Sequence, residues 1–264
     1  MSKIGIIQFA PKLGKVNENI QTINELIASK RRCDLYVLPE LANSGYRFKN
    51  RDEAVLYSER TTNSPFLNAL VAIAVAKEAY LVSGFCERSG DKLYNSSVLV
   101  GPEGLIGVYR KLHLFLDEKD IFETGDLGLP VFDTPLGKIG MQICFDWMFP
   151  ETWRVLAMKG AQLIAHPANL VLSYCQGVVQ SYAIINKFFI ATANRTGKER
   201  DLKFTGQSVL VSPEGIVLKR GEEEENKLIK HEVDLSQALN KHITPRNHAL
   251  NDRRSDVYGD LNLN

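Results

Sequence analysis

SSVLVGPEG, residues 96–104, is answered by QSVLVSPEG, residues 207–215: two apolar runs closed by the same Pro-Glu-Gly turn. Working outward, two more echoes stand in the same order. Lys3-Ile4-Gly5 opens an apolar run ending near Phe9, and Lys138-Ile139-Gly140 opens another ending at Cys144. CDLYVLPE (33–40) is matched by AQLIAHPA (161–168). Three ordered echoes indicate two similar halves, expected here within one domain spanning residues 1–264.

Each half alternates strand and helix. Residues 3–9 and 35–38 read as strands, with Ile20, Ile23, Leu26 and Ile27 at helical spacing between them. Ser64-Pro65 reads as a cap and first-turn proline for a helix running to about Ala79. Strands are expected at 80–86, 93–100 and 105–109. The second half repeats the theme with strand 138–143, helix 150–159, strand 162–165, helix 176–187, and strands 188–193, 206–212 and 215–219. Glu222 to Glu225 reads as a solvated loop.

Two mixed sheets with helices on one face each bury their bare faces by packing against each other. The expected fold is therefore an α/β four-layer α-β-β-α sandwich with a pseudo-twofold internal repeat. A doubly wound open sheet would want a Gly-rich phosphate loop after the first strand, and Ala10-Pro11-Lys12-Leu13-Gly14 does not supply one.

With 264 residues, 44% hydrophobic and 24% charged, the chain is an ordinary globular one. Its 32 Lys and Arg against 31 Asp and Glu leave a net charge of +1, so no nucleic-acid partner is expected. No stretch approaches the roughly 20 apolar residues of a membrane span, and the start lacks a signal-peptide core, so no membrane association and a cytoplasmic location are expected. Cys33, Cys86, Cys144 and Cys175 show no CxxC pairing, which speaks for reduced thiols and no metal site.

Ligand sites in such sheets gather beyond the carboxyl ends of strands. Three residues stand there. Glu40 follows the apolar run Leu35 to Leu38, where partial burial favours a base. Lys111 follows strand 105–109 among apolar residues, where its charge seeks a partner. Cys144 lies at a strand-to-helix junction, where helix N–H groups favour a thiolate. Taken singly, each has a plainer reading as a capping glutamate, a snorkelling lysine and a buried cysteine. His113 and His166 leave a Cys–His hydrolase open on spacing alone.

VLPELANSGY around Glu40, YRKLHLFLDEKDIFETGD around Lys111 and GMQICFDWMFPE around Cys144 resemble the three signature regions of the nitrilase or carbon-nitrogen hydrolase superfamily. The likeness runs from KIGIIQFAP to the terminal NDRRSDVYGD. It implies the same sandwich fold, commonly dimerised, so a homodimer or larger homo-oligomer is expected, with the polar tail NDRRSDVYGDLNLN crossing to a partner.

The resemblance further implies Cys144 as nucleophile, Glu40 as general base, Lys111 as the cation on the tetrahedral intermediate and Glu118 as a residue positioning the lysine. It implies the Phe145 N–H as an oxyanion donor and Tyr46, Trp147 and Asn169 as pocket residues, with no metal or organic cofactor. The expected substrate is a small-molecule amide or nitrile. Cys-Phe-Asp-Trp after the strand tilts the reading to a small aliphatic amide cleaved through a thioester, with an aliphatic nitrilase next and an N-carbamoyl amide hydrolase after it. The signatures show no obvious arginine clamp, so carboxylate-tailed substrates are not specifically expected. A scaffold with little turnover is the competing class, disfavoured because all three reactive residue types are present.

Overall fold

Alternation decides which face of each strand is inside. Ile4, Ile6, Leu35, Val37, Val82 and Leu99 join one core cluster, whereas their neighbours Ile7, Tyr36, Leu38, Leu81, Val98 and Val100 join another with helix residues Ile23, Ile27, Phe66 and Leu70. That two-residue period is what a sheet covered on both faces requires. The computed structural model describes residues 1–28 and 32–259.

In chain order the elements are β1 (Ser2–Gln8), α1 (Val16–Ala28), β2 (Leu35–Val37), α2 (Arg51–Tyr57), α3 (Pro65–Lys77), β3 (Tyr80–Ser89), β4 (Lys92–Gly101), β5 (Gly104–Arg110) and α4 (Glu118–Ile121). There follow β6 (Val131–Thr134), β7 (Gly137–Met141), α5 (Pro150–Met158), β8 (Leu163–Ala168), α6 (Cys175–Asn186) and β9 (Phe189–Asn194). The small hairpin β10 (Lys198–Glu199) and β11 (Leu202–Lys203) precedes β12 (Val209–Val211), β13 (Val217–Arg220) and β14 (Lys227–Val233). Another hairpin, β15 (His242–Thr244) and β16 (Asn247–His248), comes last.

One sheet has the order β14-β1-β2-β3-β4-β5 and the other, read from its opposite edge, β6-β7-β8-β9-β12-β13. In both, the first strand is antiparallel to the second, the next three are parallel, and the last two turn back antiparallel. The sequence echoes fall on equivalent strands: β1 with β7, β2 with β8, β4 with β12. The expected four-layer sandwich with its pseudo-twofold repeat is the observed architecture. β1, β2 and β3 face β8 and β9 across the middle, while α1 and α3 cover the first sheet and α5 and α6 the second.

Ser64 caps α3 by accepting the Leu67 N–H at 2.9 Å, with Pro65 in the first turn, as the sequence predicts. Several details differ. The strand expected at 206–212 is only β12, because Gly206 and Gln207 have φ of 55° and 51°, outside extended geometry. Cys33 lies just before β2, and Cys175 opens α6, one residue ahead of the expected helix start. Elements α2, α4, β6 and β14 have no sequence expectation.

β14 runs back from the second half to pair with β1, Ile229 opposite Ile6. A polar staple fixes the loop before it: Gln8 of β1 donates to the Glu222 and Glu225 carbonyls at 2.6 and 2.8 Å and accepts the Ser208 N–H at 2.9 Å. Residues 251–259 carry only the short turn Ser255–Val257. The remainder of the tail expected to reach a partner, 260–264, lies outside the described residues. Among the described residues, no helix is long and apolar enough to cross a membrane.

Candidate active site

Glu40 sits in the turn that leaves β2, and this turn lies directly on β3. The Gly84 N–H donates to the Pro39 carbonyl at 3.0 Å, and the Ala42 N–H to the Gly84 carbonyl at 3.2 Å. A Cβ on Gly84 would stand 2.3 Å from both Glu40 Cα and Leu41 N, so only glycine permits this approach. Lys111 follows β5, its N–H held by the Asn95 carbonyl of β4 at 2.8 Å. Glu118 is the first residue of the single-turn α4.

These three side chains meet in the interior: Glu40, Lys111 and Glu118 are 0%, 1% and 4% exposed. Lys111 Nζ donates to Glu40 Oε1 at 2.7 Å and to both Glu118 oxygens at 2.8 Å. Asn95 Nδ2 shares Glu40 Oε1 at 2.7 Å, and the Tyr46 hydroxyl donates to Glu118 Oε1 at 2.8 Å. The other oxygen, Glu40 Oε2, is buried with no protein partner among the described residues. An unpartnered buried carboxylate oxygen costs stability, so it calls for a functional account. The plain reading of Lys111 as a snorkelling surface lysine is excluded by its burial between two carboxylates.

Burial works to deprotonate Lys111, but the Glu118 and Glu40 carboxylates outweigh it and hold the ammonium well above its ordinary range. Burial pushes Glu118 up to about 7, against the pull of Lys111. Burial and then Glu40 push the Cys144 thiol well above its ordinary value, with Lys111 opposing. The junction therefore does not favour a resting thiolate as its place after a strand suggests: the segment is a five-residue 3-10 turn, Cys144–Met148, and desolvation dominates. A protonated thiol requires a base.

Cys144 opens that turn in a left-handed conformation, φ 41°, unusual for a residue with a side chain. Two buried residues pin it. His166 Nε2 lies 3.0 Å from the Cys144 carbonyl and Nδ1 lies 3.1 Å from Thr192 Oγ1. Since a carbonyl only accepts, Nε2 carries the proton. Asp146 accepts from the Tyr109 hydroxyl at 2.6 Å and the Ile143 N–H at 3.0 Å, and pairs with His113 Nδ1 at 2.8 Å. Both histidines are thus occupied, His166 on the cysteine's carbonyl rather than its thiol. The Cys–His reading loses its base.

Cys144 lies at a pocket of about 20 Å³ walled by Phe115, Phe145, Trp147, Leu170 and Leu172, with Asn169 beside them. Asn169 Nδ2 also donates to the Glu40 carbonyl at 2.9 Å, tying the glutamate turn to the cysteine pocket. The Phe145 N–H, one residue into the turn, has no carbonyl within the turn to bond. All eight residues singled out in the sequence therefore fall in one region: Tyr46, Glu118, Lys111 and Glu40 in the charged network, Cys144, Phe145, Trp147 and Asn169 in the pocket. Sequence reasoning missed Asn95, Asp146, Tyr109, Phe115 and Gly84. An Asn within the apolar strand Leu93 to Val100 was the one visible signal among them.

The carbon-nitrogen hydrolase family matches residues 3–240. A nitrilase of Pyrococcus abyssi is 44% identical over 260 residues, covering 98% of this chain and 99% of its own. An (R)-stereoselective amidase of a Pseudomonas species is 32% identical, covering 98% and 93%. Among solved structures, an amidase from a Nesterenkonia species superposes with a TM-score of 0.83 at 24% identity, over 98% of this chain and 96% of that one, and speaks to the fold. Signatures, sandwich and a buried cysteine beside a Glu–Lys–Glu network agree with that match along nearly the whole chain, and the protein belongs to the carbon-nitrogen hydrolase family, whose nitrilase-superfamily members are cysteine-dependent hydrolases.

Proposed function

We propose that the protein hydrolyses the carbon–nitrogen bond of a small aliphatic amide to a carboxylic acid and ammonia, through a thioester on Cys144. The observation that carries this reading is the unpartnered Glu40 Oε2. Its sister oxygen is saturated by Lys111 and Asn95, leaving one carboxylate atom to exchange a proton with the thiol.

Glu40 Oε2 takes the proton as Sγ attacks the carbonyl carbon, a transfer that a thiol held protonated by burial cannot do without. Lys111 Nζ and the Phe145 N–H receive the negative charge that develops on the oxygen. Collapse expels ammonia, which leaves with the proton from Glu40. Water, giving its proton to the same carboxylate, attacks the thioester and releases the acid, returning the proton to sulfur. Glu118 and Tyr46 keep the ammonium aimed while the charge moves.

A nitrile would pass through a thioimidate and consume a second water. That second reading is favoured by the name of the Pyrococcus relative; the amide reading is favoured by Cys144-Phe145-Asp146 and the name of the Pseudomonas one. Ammonia release from matched small amides, carbamoyl amides and nitriles separates them, with Cys144→Ala as blank. We expect amide turnover that falls by at least about 10⁴-fold in the variant. Nitrile-only turnover would install the second reading, and undiminished release by Cys144→Ala would sink both. A homodimer is proposed as well, supported by the half-exposed Val155 and Met158 of α5 and Ile184 and Ile185 of α6; a sedimenting species near 30 kDa at micromolar concentration would refute it.

A further inference from the structure

The walls of the cysteine pocket are almost wholly apolar, and no Lys or Arg among the described residues lines it. Lys111 is held between Glu40 and Glu118, where its charge serves the reacting oxygen. Arg47, beside Tyr46, is spent on Asp117 and Asp201. Arg195 lies over the Phe204 ring at 4.3 Å with Nη2 bonded to Glu199 and the Pro11 carbonyl; its Nε and Nη1 have no partner among the described residues, but it lines none of this pocket. Lys119 and His113 line a different groove, which shares only Phe145 with it.

The buried charges also lean one way, with a single ammonium against two carboxyl groups. A further anion near Cys144 would face like charge, with Lys111 and the Phe145 N–H already given to the reacting oxygen. The cavity itself, about 20 Å³, has room for little more than a water, which speaks for a short acyl group.

Resting on the function proposed above, we infer that the acyl group of the substrate is short, apolar and uncharged, and that Leu172 at the pocket rim is a specificity-determining residue against carboxylate-bearing chains. Leu172 is 45% exposed while lining the pocket, so its side chain stands where an extending acyl chain would leave it. Placing a guanidinium there supplies the missing partner without disturbing a packed core.

Two measurements on the full-length protein test this. In the first, butyramide is compared with succinamate, which differs by a carboxylate in place of the terminal methyl; the expected kcat/KM ratio is at least about a hundredfold. In the second, which needs no turnover, Cys144 is alkylated with neutral iodoacetamide or anionic iodoacetate. Labelling of its peptide is followed by mass spectrometry and normalised to a small free thiol; iodoacetamide is expected to lead by at least about thirtyfold.

Leu172→Arg should narrow both ratios by about tenfold or more. Equal normalised alkylation rates would overturn the inference, and ratios unmoved by Leu172→Arg would overturn the assignment of Leu172. A strong preference for iodoacetamide with no ammonia from any amide or nitrile would leave the pocket inference standing and remove the proposed function alone.

Discussion

His166 is buried as a neutral imidazole, and burial pulls its pKa down to about 4. Between that value and the ordinary 6.5, the unfolded chain binds a proton that the native state refuses, so this group's contribution to stability is lost as pH falls through the window. Glu118 acts in the opposite sense. Its pKa is raised to about 7 from 4.5, so the native state retains a proton the unfolded chain has released, and stability falls as pH rises across that range. The two oppose each other wherever the windows overlap, and the wild-type curve should be shallow there. His166→Gln keeps an N–H for the Cys144 carbonyl while removing the titration. Relative to wild type, it should gain stability at pH 4.5 over pH 7.5 by on the order of 2 kcal/mol in urea unfolding. Parallel pH–stability curves for the two proteins would contradict this. At this scale Glu40, Lys111 and Cys144 were legible because each is a polar residue at the end of an apolar strand. His166 was visible only as a rival base, since nothing in IAHPAN tells which atom of Cys144 the ring meets.

Turns, more than strands, place the chemistry, and they are where local reading runs out. α1 and α3 were readable from spacing and from Ser64-Pro65. α4 is a single turn held by Lys111 and Tyr46, α2 seven residues long, and neither carries enough period to declare itself. The contact between Gly84 and the Glu40 turn joins β3 to the end of β2 through space, so neither segment alone announces it. Gly84→Ala would force a Cβ against backbone that cannot rotate away. Overpacking should destabilise by about 1–3 kcal/mol, and a shift of the carboxylate by a fraction of an ångström should lower kcat by about a hundredfold. Gly177→Ala is the contrasting case: it lies within α6, where an added Cβ meets nothing within 4 Å. It should raise stability by about 0.5–1 kcal/mol through helix propensity. Thermal melts with steady-state rates for the two variants separate the effects; a fully active Gly84→Ala would refute the positioning role given to this contact.

The two halves are alike in sheet order but not in chain order. The strand β6 that edges the second sheet precedes its partner β7, whereas its counterpart β14 comes after the whole second half and returns to β1. Echoed motifs show the duplication but carry no trace of this return, because β14 has no twin phrase in the sequence to announce its partner. Its consequence is mechanical: the first sheet lacks an edge until the second half has been made, and each sheet's inner face is covered only by the other. The halves should therefore unfold together. Both tryptophans, Trp147 and Trp153, lie in the second half, so fluorescence reports that half while far-UV dichroism reports all of it. Ile229, 7% exposed on β14 and opposite Ile6, is a point where the first sheet can be attacked from outside its own half. Ile229→Asp buries an unpaired carboxylate and should cost at least about 3 kcal/mol. If the sandwich is one cooperative unit, the fluorescence and dichroism transitions will coincide in wild type and move together in the variant. A fluorescence transition that stays in place while dichroism shifts would show the halves to be separable, and with them the single-domain reading would fall.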